Sequence, residues 1–267
     1  MISVVISTLG TDPYVRDAIL STLDTLGAGG ELVLHLDGCK TVPSSIARIS
    51  DTRFTVLITE EKVGFSQGLN LCIESSKHDS IGRMDADDIC IAGRWSLQQR
   101  QLENTDVTSG IPIHYFPHRK LLRYLPHYFL KLSDEEIKAI LPFGNPIIHP
   151  AAAFRREVFN KIGGYGDALA EDYEFWLRAS LCEFKMTRTR DYVVQYRHHK
   201  SQASRGSGWA LKVLADENIR SLQSQLRAKT ESEIGNPIKV LEKHARTSLL
   251  LAWEFRSALA DARSEKI

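Results

Sequence analysis

Short apolar runs separated by helix-like stretches form the pattern of the first half of the chain. Three runs rich in β-branched residues are typical of strands buried on both faces, and they cover Ile2–Ser7, Glu31–Leu36 and Phe54–Thr59. Apolar residues repeat with the helical period between the first two runs and again in Ser66–Ser76. Strands that alternate with helices form βαβ units, so the pattern predicts an α/β fold whose mostly parallel sheet is flanked by helices.

The second half of the chain has a less regular pattern. His, Tyr, Pro and basic residues are frequent in Ile111–Leu132, which we interpret as a long loop or insertion. Three helices are predicted after it: a capping-box helix from Ser133, a helix with Phe154, Val158 and Ile162 on one face, and a helix from Glu171. A short strand is predicted at Val193–Tyr196, and two helical stretches, broken at 235–237, form a C-terminal extension.

Acidic residues follow two of the predicted strands. Asp37 comes directly after the second strand, and a cluster of three aspartates, Asp85, Asp87 and Asp88, follows a strand that begins near Ile81. Ligands of open α/β sheets bind beyond the carboxyl ends of the strands. The pattern therefore places a candidate site at this edge of the sheet.

Composition and charge narrow the class of protein. The chain has 267 residues, 43% hydrophobic and 25% charged, which is ordinary globular usage and argues against disorder. Its formal net charge of +1 argues against a nucleic-acid partner, because such proteins usually carry a basic excess. The N-terminus lacks the pattern of a signal peptide, and no apolar run approaches the ~20 residues of a membrane span. We therefore expect a cytoplasmic protein, with attachment to the inner face of a membrane left open.

The aspartate cluster is a candidate site for a divalent cation. Asp85 and Asp87 are two residues apart, so in an extended segment their carboxylates point to the same side. Carboxylates combined with phosphate oxygens suit Mg²⁺ or Mn²⁺. An isolated pair of this kind is more often a solvated turn, and only the preceding strand and the downstream motifs favour the metal.

Two further motifs carry candidate chemistry. Glu171 and Asp172 open a helix, where acidic residues often serve only to complement the helix dipole. An ionised carboxylate there could also act as a general base that takes a proton from a hydroxyl group. His198 and His199 are adjacent in an extended segment, so at most one of them reaches a given site, where it could complete a metal site that holds Asp87.

Together these motifs resemble a known enzyme family. The segments that carry the resemblance, in chain order after the opening strand and helix, read KVGFSQGLN, IGRMDADDICIAGRW, NPIIHPAAAFRREVFNKIGGY, AEDYEFWLR and YRHHKSQAS. They resemble the inverting, family-2 type glycosyltransferases with the GT-A fold, in particular those of bacterial surface-polysaccharide synthesis. The resemblance covers residues 2–205 and selects His199 rather than His198.

The resemblance implies roles for individual residues. Asp37 and the backbone at Thr8 would bind the nucleotide, Asp85 would lie near its ribose, and Asp87 would bind Mn²⁺ or Mg²⁺, with His199 as a further ligand. Asp172 would be the catalytic base. Trp176 would shape the pocket for the sugar or the acceptor, which Glu171 would also line. Independently of the resemblance, His149 could line this pocket or be a structural residue held between Pro146 and Pro150.

The same resemblance implies substrates and a domain organisation. The expected substrates are a nucleoside-diphosphate sugar, most often UDP-linked in this family, and a glycan or lipid-linked acceptor. Residues 1–205 would form the catalytic domain, with a nucleotide-sugar half at 1–110 and an acceptor half at 111–205. Residues 206–267 would form the helical extension, which could pack on the catalytic domain, form a homodimer interface or contact a membrane.

Three other functions are weighed against this one. A catalytically inactive nucleotide-sugar-binding module would not need Asp85, Asp87 and Asp172 together. A sugar nucleotidyltransferase would carry a Gly-rich phosphate loop with a basic residue after the first strand, where Leu9-Gly10-Thr11 is a poor match. A dinucleotide-dependent dehydrogenase would show G-x-G-x-x-G at the same place, and that motif is absent from the sequence.

Overall fold

The computed structural model describes residues 1–9, 11–117, 121–123, 131–199, 212, 213 and 215–234. The strands of this part are β1 Ile2–Thr8, β2 Glu31–Asp37, β3 Phe54–Thr59, β4 Ser80–Arg83, β5 Ile89–Cys90, β6 Val107–Phe116, β7 Leu121–Arg123, β8 Ala152–Arg155 and β9 Met186–Arg197. The helices are α1 Val15–Thr25, α2 Ser44–Ala47, α3 Phe65–Ser75, α4 Arg94–Gln101, α5 Asp134–Ile140, α6 Arg156–Ile162, α7 Glu171–Leu181 and α8 Glu217–Ile234.

The described strands form one mixed sheet in the order β3-β2-β1-β4-β8-β6-β9-β5, and β7 pairs with β6. The first four strands are parallel, as the alternation of strands and helices predicts. Strand β8 then runs antiparallel to both β4 and β6, while β6 and β9 are parallel to each other. The α/β fold is confirmed, and the parallel part carries the acidic strand ends.

Burial of the sheet on both faces explains why β1 and β2 are continuous apolar runs. Successive side chains of a strand point to opposite faces. Val4 and Ile6 therefore join one core cluster with Ile19 of α1, whereas Val5 joins a second cluster with Leu69 of α3. The two helices cover opposite faces of the same strands, which leaves the strand ends as the open edge.

Two sequence expectations about the second half are wrong, and one predicted strand is correct in place but too short. The segment predicted as a loop from Ile111 contributes residues 111–116 to β6, where register shifts on either side of Ile111 interrupt the strand pattern. Phe154 lies on β8 and not on a helix, because Arg155 is extended and α6 begins only at the next residue. The short strand predicted near Val193 is the end of the 12-residue strand β9.

The C-terminal helix α8 packs against the rest of the fold. Its buried residues Ile219 and Leu226 join the core cluster of α7, and Gln223 Nε2 donates to the Tyr173 hydroxyl at 2.9 Å. The second predicted helical stretch and the boundary at residue 205 lie outside the described residues. Within the described part, no helix is long and apolar enough to cross a membrane.

Candidate active site

The carboxyl ends of β1, β2 and β4 meet at one edge of the sheet. Thr8 ends β1 beside β2, Asp37 ends β2 beside β3, and Arg83 ends β4 beside β1. The chain then continues directly into the aspartate cluster. The fold therefore brings the predicted nucleotide and metal residues to the edge where α/β sheets bind their ligands.

Asp37 is buried, and its carboxylate holds the segment that follows β3. Its Oδ1 accepts hydrogen bonds from the Val63 N–H at 2.8 Å and from the Thr59 hydroxyl at 3.3 Å, and its Oδ2 accepts one from the Gly64 N–H at 3.1 Å. A carboxylate offers about four lone-pair positions, so capacity for a ligand remains. Asp37 thus shapes this loop, and its contact with a nucleotide base stays a prediction.

A buried histidine supports Asp37 from inside the sheet. His35 Nδ1 lies 3.2 Å from Ser7 Oγ, and its Nε2 lies 3.1 Å from Thr59 Oγ1. Burial lowers the pKa of His35, which favours the neutral ring. A neutral imidazole can donate from one nitrogen and accept at the other, so one ring can satisfy both hydroxyls. Sequence reasoning assigns His35 no role, because an apolar strand context hides it.

The carboxylates of Asp85, Asp87 and Asp88 lie together beyond β4. One ligand oxygen from each falls within 4.8 Å of the others. Asp88 Oδ1 accepts a hydrogen bond from the Arg197 N–H at 2.9 Å. The other carboxylate oxygen of Asp88, the buried Oδ2, has no hydrogen-bond partner in the described part of the chain. Burial, together with the neighbouring carboxylates, raises the pKa of both Asp87 and Asp88. The cluster thus concentrates negative charge and leaves one acceptor unused.

His199 approaches the cluster from the end of β9, as the sequence predicts for one of the two adjacent histidines. Its Nε2 lies 2.6 Å from Asp87 Oδ2. His198 points elsewhere and stacks on Phe116 with ring centroids 4.3 Å apart. The oxygen-rich cluster, with one buried acceptor left over, fits a hard divalent cation, and the imidazole offers a further ligand.

Arg83 connects the aspartate cluster to the opposite side of the site. Its guanidinium is buried, forms an ion pair with Asp85, and lies 5.2 Å from the centroid of the Phe65 ring. Its charge also lowers the pKa of Glu171 and Asp172, although burial raises both more strongly. Arg83 lies in the segment IGRMDADDICIAGRW, but the sequence pattern assigns it no role.

Glu171 and Asp172 begin α7 as predicted, and the two carboxylates have different surroundings. Asn145 Nδ2 donates to Asp172 Oδ2 at 2.8 Å. Burial raises the pKa of Asp172, which the hydrogen bonds from the Tyr173 N–H and from Asn145 partly offset. Burial and the charge of Asp172 raise the pKa of Glu171 to about 7. Both groups are therefore stronger bases than free carboxylates, and Asn145 is a site residue that the sequence prediction missed.

His149 and Trp176 form the floor behind these carboxylates. His149 Nε2 lies 2.9 Å from the Tyr165 hydroxyl, and its Nδ1 lies 3.8 Å from Glu171 Oε1. Burial lowers the pKa of His149 well below its usual value. Trp176 is 0% exposed and meets His149 edge to face. The ring of Trp176 packs inside the core and supports His149, so any part it takes in shaping the sugar or acceptor pocket is indirect and stays a prediction.

The sheet edge, the carboxylates beyond β4 and the acidic start of α7 form the arrangement that the resemblance to glycosyltransferases of the GT-A fold implies. The family described as Glycosyl transferase family 2 matches residues 3–163, and the chain belongs to that family.

Two curated relatives are similar over most of their length. The amylovoran biosynthesis glycosyltransferase AmsE of Erwinia amylovora is 29% identical over 223 residues, covering 78% of this chain and 80% of the relative. The O-antigen biosynthesis glycosyltransferase WbnJ of Escherichia coli is 28% identical over 218 residues, covering 78% of this chain and 83% of the relative.

Solved structures confirm the fold. Residues 1–349 of S. aureus TarS, in complex with UDP-GlcNAc, match with a TM-score of 0.64 at 15% identity, over 86% of this chain and 71% of that one. The mannosyltransferase PcManGT of Pyrobaculum calidifontis, in complex with GDP-Man and Mn²⁺, matches with a TM-score of 0.60 at 16% identity, over 98% of this chain and 80% of that one.

Proposed function

We propose that this glycosyltransferase is metal-dependent and inverting, and that it moves a sugar from a nucleoside-diphosphate sugar, UDP-linked, to an acceptor hydroxyl. One observation carries the proposal: Arg83, which forms an ion pair with Asp85, lies 5.2 Å from the centroid of the Phe65 ring, and Phe65 lines one groove together with Glu171 at the start of α7. A site for the diphosphate and a candidate base are therefore neighbours, as a single displacement requires.

The residues that would hold the cation are Asp87 and His199, with Asp85 and Asp88 beside them. When bound there, Mn²⁺ or Mg²⁺ would offset the negative charge that develops on the leaving nucleoside diphosphate. Asp37 and the backbone at Thr8 are proposed to position the nucleotide. Thr8, Asp37 and the aspartate cluster fall in the 1–110 half of the proposed catalytic domain, whereas His199 and the proposed base fall in the 111–205 half.

Asp172 is proposed to accept the proton of the acceptor hydroxyl while its oxygen attacks the anomeric carbon. The bond to the diphosphate breaks on the opposite side, so the configuration at that carbon inverts. Asn145 Nδ2 donates to Asp172 Oδ2 at 2.8 Å, which orients the carboxylate. The pKa of Asp172, raised by burial, makes it a better proton acceptor than a free aspartate.

The pathway is proposed from the relatives, which are named for amylovoran and O-antigen biosynthesis. We infer a bacterial surface polysaccharide as the product and a glycan or lipid-linked acceptor, used at the cytoplasmic face of the membrane. Flotation with anionic vesicles tests this placement. Protein that rises with the vesicles supports peripheral contact, and protein that stays in the soluble fraction contradicts it.

Release of nucleoside diphosphate from a panel of UDP-, dTDP- and GDP-sugars tests the base. Asp172→Asn should reduce release by about 100-fold or more, because the amide cannot accept the proton. Nucleotide-induced thermal stabilisation should persist in this variant. Glu157→Gln is the matched control, since Glu157 also lies in a first helical turn but on α6. Equal loss in both variants, or no loss in Asp172→Asn, would contradict the assignment.

The same assay tests the metal. Release should fall to background in excess chelator and return with Mn²⁺ or Mg²⁺. Asp87→Asn should weaken this metal dependence, whereas Asp79→Asn, an exposed aspartate at the opposite end of β4, should not. Full activity in chelator would exclude the metal-dependent reaction.

A further inference from the structure

A groove of about 660 Å³ lies beside the start of α7. One wall is the segment 63–67 at the start of α3, and the other is the loop 165–169 that precedes α7. Glu171 lines the groove as well, one residue before the proposed base. The groove thus extends from the place where an acceptor hydroxyl would react.

Both walls are held in place by specific hydrogen bonds. Asp37 accepts the N–H groups of Val63 and Gly64, which fixes the first wall. The side chain of Asn70 fixes the second wall, because its Nδ2 donates to the Tyr165 carbonyl at 3.0 Å and its Oδ1 accepts the Tyr165 N–H at 2.9 Å. The groove is therefore a built feature of the fold and not a gap between unattached loops.

The lining combines apolar surface with negative charge. Val63, Phe65 and Leu169 are 40%, 38% and 44% exposed, which is unusual for large apolar side chains. Asp167 and Glu171 are the acidic side chains of the lining, and no Lys, Arg or His occurs among the described residues that form it. The nearby guanidinium of Arg83, 5.2 Å from the centroid of the Phe65 ring, is already paired with Asp85. Asp167 is exposed on the rim.

This combination selects against anionic ligands. A carboxylate or phosphate in the groove would lose hydration and meet charges of its own sign. A neutral pyranose ring suits the groove, because its C–H face can cover Phe65 or Leu169 while its hydroxyl groups donate to Asp167 and Glu171.

We propose that this groove binds an uncharged sugar ring of the acceptor and discriminates against uronic acids and phosphorylated sugars. The inference rests on the glycosyl transfer proposed above, and it adds the chemical class of the acceptor, a neutral sugar at the position next to the reacting hydroxyl.

The test uses two probes that differ only in charge, methyl β-D-glucopyranoside and methyl β-D-glucopyranosiduronic acid, titrated by NMR near pH 8 without nucleotide. The neutral glycoside should bind at least about tenfold more tightly, because a carboxylate within a few ångströms of Asp167 and Glu171 is repelled. Asp167→Lys should abolish or reverse this preference. Glu103→Lys makes the same charge change at an exposed residue just after α4, away from the groove, and should leave the preference intact.

The apolar wall is tested separately with Leu169→Ser, which should weaken both glycosides about threefold or more. Ile58→Ser, at a similarly exposed apolar residue of β3, should not. Equal affinity for the two probes in the wild type would overturn the proposal. An Asp167→Lys effect on a nucleotide sugar, with no effect on the free nucleotide, would assign the groove to the transferred sugar and would also overturn it.

Nucleotide-induced thermal stabilisation, measured on the same samples, distinguishes failure of the acceptor inference from failure of the proposed transferase reaction. If nucleotides stabilise the protein and the glycosides show no preference, the acceptor inference alone fails. If nucleotides also fail to stabilise it, the proposed transferase reaction fails with it.

Discussion

Replacement of Gly68 by alanine should destabilise the protein, although the same change in most helices is favourable. Gly68 lies inside α3, where alanine normally gains about 1 kcal/mol over glycine. Here a Cβ atom would lie 2.2 Å from Ser7 Oγ and 2.4 Å from His35 Nδ1. Overpacking of this kind costs about 1–3 kcal/mol, and loss of the buried hydrogen bond between Ser7 and His35 costs about 1 kcal/mol more. The clash should therefore outweigh the helix propensity by about 1–3 kcal/mol.

Urea denaturation measures this difference directly. The midpoint should fall while the slope of the transition stays constant, since the compactness of the two states is unchanged. Gly27→Ala is the control, because a Cβ there meets nothing within 4 Å. Ser7→Ala should recover part of the loss in the double variant, and the remaining cost would come from His35. A Gly68→Ala variant as stable as the wild type would refute the packing argument.

Three more predictions concern the site. Burial raises the pKa of Glu171 from 4.5 to about 7. Between pH 4.5 and pH 7 the folded state therefore holds a proton that the unfolded state releases, and the free energy of unfolding falls as pH rises through this range. Glu171→Gln should therefore be more stable than the wild type above pH 7, by up to about 3 kcal/mol, and equal to it below pH 4.5 in denaturant titrations; a constant difference would contradict the shift. Asn70→Asp should lose about 1–3 kcal/mol near neutral pH, because its carboxylate faces the Tyr165 carbonyl, and should regain stability on acidification; a pH-independent loss would argue against this contact. Asn145→Ala removes a hydrogen bond that lowers the pKa of Asp172, so the acidic limb of the activity profile should move to higher pH; an unmoved limb would remove Asn145 from the site.

The parallel half of the sheet could be predicted because local pattern and tertiary burial agree there. Strands β1 and β2 are buried on both faces, so their apolar runs are continuous and unambiguous. Strand β6 could not be predicted in full. It contains Pro112 and polar aromatic residues, and its register shifts beside Ile111 break the alternation that would mark a strand.

The candidate site also combines contacts that the sequence predicts with contacts that depend on tertiary packing. The approach of His199 to Asp87 could be predicted, because adjacent residues of an extended segment point to opposite sides and the resemblance selected one of them. The partnership of Asn145 with Asp172, 27 residues apart, depends on how the loop before β8 meets α7. Trp176 lies on the apolar stripe of the α7 sequence, so its burial could be predicted, whereas its contacts with His149 and Phe154 depend on tertiary packing.

The anomeric configuration of the product gives the sharpest test of the proposed reaction. An α-linked nucleotide sugar that supports nucleoside diphosphate release is incubated with a neutral glycoside acceptor, and the new linkage is read by ¹H NMR. A single displacement with Asp172 as the proposed base and Asp85 and Asp87 at the proposed diphosphate site predicts a β-linked product that the Asp172→Asn variant does not form. An α-linked product, or equal yield from the variant, would contradict the single displacement.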